Sequence, residues 1–168
     1  MRKVLVVMGL LGLGLAACNK DKEDPGGTGS EQMANEWWVE LTQGGVDIYD
    51  LHHFKISTYN TASSRDSLWV DDLENGWGMK TKVGADLSSL TFATKATGGD
   101  NLYFDPASPT SFPEHVIITG GKVIPKAGRS RTGNVTDSIF MEVEFSDDPG
   151  TKYVLSGHAR TAFAEDEY

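Results

Sequence analysis

Apolar and polar residues alternate along most of the chain. Over residues 138–145, Ile139, Met141, Val143 and Phe145 are apolar while Glu142 and Glu144 lie between them. This is the pattern of a half-buried antiparallel strand, with Phe140 the one apolar residue on its wet side. Asp147-Asp148-Pro149-Gly150 is turn chemistry. Residues 152–163 then return as a partner strand, with Tyr153, Leu155, Gly157, Ala159, Thr161 and Phe163 on one face. Val154, Ser156, His158 and Arg160 lie on the other. A second hairpin is legible over 67–71 and 77–83, joined through Leu73-Glu74-Asn75-Gly76, with Trp77, Met79, Thr81 and Val83 facing away from Lys80 and Lys82. Upstream, Trp37, Val39 and Leu41 alternate with Glu36 and Glu40, and Phe54, Ile56 and Thr58 with Lys55 and Ser57. Segments 90–97, 101–104 and 115–124 complete the series.

No stretch after Gln32 keeps helical spacing for three turns. Eight or nine short strands joined by Gly/Asn/Asp/Pro turns predict an all-β, antiparallel up-and-down meander. A sheet of that many strands must close on itself or split in two, because open edges invite aggregation. A closed barrel of about eight strands over residues 35–168 is the expectation, with an interior that side chains fill or that holds one small ligand. Residues 105–113 carry three prolines and no alternation, and read as a loop.

The N-terminal segment is different in kind. Arg2 and Lys3 precede an uncharged apolar run to Ala17. That run is about 21 Å long as a helix, against a hydrocarbon core of roughly 30 Å. It reads as a signal peptide over residues 1–17. Leu15-Ala16-Ala17-Cys18 resembles the bacterial lipobox, in which cleavage leaves an acylated cysteine as the first residue. Cys18 is therefore the expected lipidation site, and acyl chains hold a protein to a membrane. A charged run (Lys20-Asp21-Lys22-Glu23-Asp24) and a Gly/Ser-rich stretch follow, making residues 18–34 a flexible tether.

Charge and composition narrow the function classes. Fifteen basic against 24 acidic residues in 168, a formal charge of −9, argue against a nucleic-acid partner. One cysteine excludes a disulfide framework or a cysteine zinc site. No Gly-x-Ser-x-Gly elbow is present, and Ser156 and His158 lie about 7 Å apart along one strand face, beyond hydrogen-bond reach. His52 and His53 read as a surface imidazole and a wall residue, and the two Asp-Asp pairs as turn staples. No catalytic set, metal or cofactor is expected.

The remaining signal is aromatic. Trp37, Phe92 and Phe145 read as core. Trp38 and Trp69 fall out of phase with their strands' apolar faces, and Tyr103 and Phe104 flank the proline-rich loop. These four are candidate ligand contacts, together with Met79, Met141 and Tyr153 from apolar faces and His158 and Arg160 from the last strand. Gly157 and Ala159, small among larger inward residues, hint at free internal space.

Several motifs, in order, resemble one family: Asn35-Glu36-Trp37-Trp38-Val39, Leu68-Trp69-Val70-Asp71-Asp72, Asn75-Gly76-Trp77-Gly78-Met79-Lys80, Thr119-Gly120-Gly121-Lys122 and Ser156-Gly157-His158-Ala159-Arg160-Thr161-Ala162-Phe163. The chain is similar, from about Glu31 onward, to small Bacteroidetes lipoproteins described as lipid-binding putative hydrolases. The resemblance implies a lipocalin-like (calycin) barrel and a lipid or other hydrophobic ligand, and gives no catalytic residues to carry over. Family members usually have Arg-Thr-Gly-Phe where this chain has Arg160-Thr161-Ala162-Phe163, a change that matters only if φ is positive at 162. The leading expectation is an outer-membrane, surface-facing lipoprotein that binds its ligand in the barrel. The alternatives are an accessory or glycan-binding component of a surface complex, and a lipid or ester hydrolase.

Overall fold

Nine strands form one continuous sheet in a computed structural model that describes residues 27–168. The strands are β1 (Asn35–Thr42), β2 (Phe54–Asn60), β3 (Ser67–Asp71), β4 (Lys80–Asp86), β5 (Thr91–Ala93), β6 (Gly99–Asp100), β7 (His115–Arg129), β8 (Val135–Phe145) and β9 (Tyr153–Ala159). Every pairing is antiparallel. β1 joins β9, and β5 joins β7, so eight strands close into a barrel and the two-residue β6 lies along β7 outside that circuit. Among the described residues the helical elements are two lone 3₁₀ turns, Glu31–Met33 and Ala164–Asp166. The expected signal peptide, Cys18 and most of the tether lie outside the described residues.

The two-residue alternation decides which side chains enter the barrel. Trp37, Val39 and Leu41 of β1, Ile139, Met141, Val143 and Phe145 of β8, and Tyr153 and Leu155 of β9 are all at most 1% exposed. Their neighbours one position along, such as Glu36, Glu40, Glu142 and Glu144, lie on the outer wall. Trp37 also satisfies its indole N–H inside, donating to Thr58 Oγ1 at 2.8 Å.

The closure has the fewest paired residues of the circuit. β5 meets β7 through only Thr91↔Lys122 and Phe92↔Gly121, whereas β8 and β9 share six pairs. A bulge makes this meeting possible. The β7–β8 register shifts between Thr119 and Lys122, and Gly120 sits at φ 60°. Gly121 leaves room for the Phe92 ring, which a Cβ there would strike. Beyond Ala93 the chain leaves the β4–β7 gap, and Thr94 bonds back to Ile118 before β6 pairs again.

Several element boundaries differ from the alternation. Residues 77–79 stay outside β4, because Asp72 N–H bonds to Met79 carbonyl and the Asp72 carboxylate accepts Gly78 and Met79 N–H at 2.7 and 2.9 Å. Met79 still points inward, 1% exposed. Residues 90–97 give only the three-residue β5, as Leu90 takes φ 55°. Residues 101–104 form a turn closed by Phe104 N–H to Asn101 carbonyl. The last strand ends at Ala159, after which Arg160 and Asp166 tie the chain down.

Candidate functional site

The barrel interior is filled. Val39, Ile56, Leu68, Val70, Val116, Ile118, Ile139 and Met141 are 0% exposed, so they face neither solvent nor a void wide enough for a water molecule. Gly157 does not open space either. A Cβ there would overlap the Trp38 carbonyl, so β1 backbone occupies the room that its missing side chain leaves. The hint of a cavity at Gly157 and Ala159 is thereby corrected: the small residue permits close strand approach.

Open space lies instead on the outer wall, at the closure seam. A cavity of about 780 Å³ has the outer faces of β3 and β4 as its floor and the 93–102 segment as its far wall. Trp69 and its register partner Lys82 lie side by side on the floor. Leu102, 56% exposed, and Lys95 face them from the segment. The size falls within the range usual for small-molecule sites. Gly98 (φ 86°) and Gly99 shape the segment. A Cβ at Gly99 would strike the hydroxyl of Thr81, which is buried and has no hydrogen-bond partner among the described residues. Another hollow, of about 700 Å³, lies between residues 27–30 and 60–65 but presents no aromatic or large apolar side chain.

A polar network holds one end of the seam cavity. Asp71, 3% exposed, accepts from Tyr103 Oη (2.6 Å), Tyr59 Oη (2.8 Å) and Leu73 N–H (2.9 Å), and pairs with Lys80 Nζ at 3.1 Å. Burial alone would push this carboxyl up, but the donors outweigh it and hold it below the usual carboxylate range. Burial and the Asp71 bond together push the Tyr103 phenol up. Asn101, buried beside it, accepts Lys80 N–H and donates to the Gly78 and Pro113 carbonyls. With its acceptors engaged, this network fixes the 101–104 turn against β3 and β4.

The nine expected ligand contacts separate into three groups. Trp69 lines the seam cavity; Tyr103 anchors the adjacent turn, which also carries the half-buried Phe104. Met79, Met141 and Tyr153 are sealed in the barrel. The Tyr153 hydroxyl donates to Asp148 at 2.6 Å, and its ring packs on Trp77 and Phe145. Trp38, His158 and Arg160 belong to another part of the wall, covered by the C-terminal segment. There the Tyr168 ring stacks on His53 (4.0 Å) and lies edge-on to Trp38, and its hydroxyl meets His158 Nε2 at 3.3 Å. Arg160 pairs with Glu36 and Glu167 at 2.6 and 2.7 Å. Alternation missed Leu102, Lys82 and Lys95. The out-of-phase Trp69 did point to that region.

Among the described residues, His158 meets the Tyr168 hydroxyl and the Ala159 carbonyl, and His53 meets Glu40; no serine or threonine hydroxyl bonds an imidazole. Asp47, Asp50 and His52 bring donor atoms within 4.8 Å of one another, but the Asp47 carboxylate is taken up by N–H groups of Tyr49, Leu51 and His52, which shape the β1–β2 loop.

Compared with known proteins, residues 22–164 match the family described as lipid-binding putative hydrolase. No curated protein matches the chain.

Proposed function

Because the chain belongs to the family of lipid-binding putative hydrolases, we propose that it is a membrane-tethered barrel that takes one lipid chain on its outer wall, in the seam cavity. The observation that carries this reading is the contrast between a lumen packed with side chains of 0–1% exposure and an open cavity of about 780 Å³ floored by Trp69. An acyl chain along Trp69 and Leu102 removes apolar surface from water at about 25 cal/mol per Å², without first displacing a packed core. The apolar leader and the Leu-Ala-Ala-Cys18 junction support an acylated anchor, and the Lys- and Asp-rich run over residues 20–24 supports an outward-facing place in the outer membrane.

Tryptophan quenching by a bromine-bearing dodecanoate tests the site. Quenching is expected in the wild-type protein and is lost in Trp69→Phe, whose thermal midpoint stays unchanged. Undiminished quenching in that variant places the chain elsewhere and overturns the assignment. The anchor has its own test: labelled palmitate is incorporated by the wild-type chain and not by Cys18→Ala, which leaves the membrane fraction. Protease treatment of intact cells reads its orientation.

A further inference from the structure

The seam cavity also carries a charge pattern that selects among amphiphiles. Its lining holds two lysines, Lys82 and Lys95, and one acid, Asp100. The wall lysines Lys55, Lys80 and Lys152 have carboxylate partners at 3.1–3.5 Å. Among the described residues neither cavity lysine is in an ion pair; Lys82 Nζ reaches only the Ser63 hydroxyl, at 3.4 Å. The one acid does not neutralise them. Asp100 is 90% exposed and meets His115 at 3.4 Å. The cavity is thus locally positive in a chain whose formal charge is −9.

The lining sets the rest of the ligand. The floor carries Trp69 as its aromatic plate, with Leu102 opposite. Together they offer an apolar path for a hydrocarbon chain. We infer that the site takes a single-chain amphiphile with an anionic head, carboxylate or phosphate, whose chain lies on Trp69 and Leu102 and whose head meets Lys82 and Lys95. This rests on the seam cavity being the lipid site, and adds the head-group chemistry.

The test uses the acylated protein held in phosphatidylcholine nanodiscs and four photoactivatable probes with the same diazirine-bearing twelve-carbon chain: dodecanoate, dodecyl phosphate, dodecanol and dodecylamine. Mass spectrometry reads labelling of the peptides containing Trp69 and residues 93–102. At pH 8, at least fivefold higher labelling by either anionic probe than by dodecanol is expected, and the least by the amine. In Lys82→Gln/Lys95→Gln the anionic preference should fall to parity while dodecanol labelling persists, which also reports that the variant is folded. Equal labelling by all four probes in the wild type, or a preference that survives the double substitution, overturns the head-group inference alone. Absence of seam labelling by any probe overturns the site itself.

Discussion

Met141 sits on the inner face of β8, 0% exposed, and Met79 is 1% exposed in the same interior. Replacing Met141 by alanine removes three methylene-sized groups beyond Cβ. At about 0.8 kcal/mol for each buried methylene, the transfer loss is about 2.5 kcal/mol. The space left behind adds to this, since closely packed neighbours relax only partly, and brings the cost to about 3–4 kcal/mol. For a domain of this size that is a fall of about 10 °C in Tm. Urea unfolding followed by tryptophan fluorescence should show a lower midpoint with an unchanged slope, and Met79→Ala should behave alike. In a barrel holding water or ligand at its centre, the same truncations would trade few contacts and merely enlarge the space. A loss below about 1 kcal/mol in both variants would therefore refute the filled interior and return the lipid to the lumen.

Two further outcomes follow from the last segment of the chain. Ala162 lies at φ 60°, a left-handed conformation in which a Cβ crowds the following carbonyl oxygen. Ala162→Gly relieves that crowding at the expense of some unfolded-state entropy, and should raise stability by about 0.5–1 kcal/mol, read as a Tm gain of a few degrees; a loss would show that the backbone is unstrained there. Hydrogen bonds from Thr132 (hydroxyl and N–H) and Thr161 hold Asp166 well below the usual carboxylate range despite burial. A carboxyl whose folded pKa is depressed contributes stability that is complete above its unfolded value near 3.9 and is lost as pH falls below it. Wild-type Tm should thus decline between pH 5 and 2 more steeply than that of Asp166→Asn, and equal slopes would remove Asp166 as the cause.

The order of apolar and polar residues determined which side of each long strand faces inward. The alternation that dominates β1, β8 and β9 favours burial of one face, and turn residues such as Asp148 and Gly150 leave neighbouring strands little choice but to pair. The family, too, was legible in the ordered motifs. Sequence alone did not decide whether the barrel is hollow, because that depends on how closely strands approach. Gly157 reads as missing volume until β1 backbone is seen to fill it. Nor could it separate sealed side chains from those that line open space. Met79, Met141 and Tyr153 share their periodicity with any core residue, while Trp38 and His158 are covered by Tyr168, a partner 10 residues or more away in the chain. The seam cavity arises only where β5 stops after three residues and the chain swings out before rejoining β7 at Gly99 and Asp100, with Leu102 just beyond. Closure is a global condition on eight strands, so the place where it is least complete belongs to the tertiary structure.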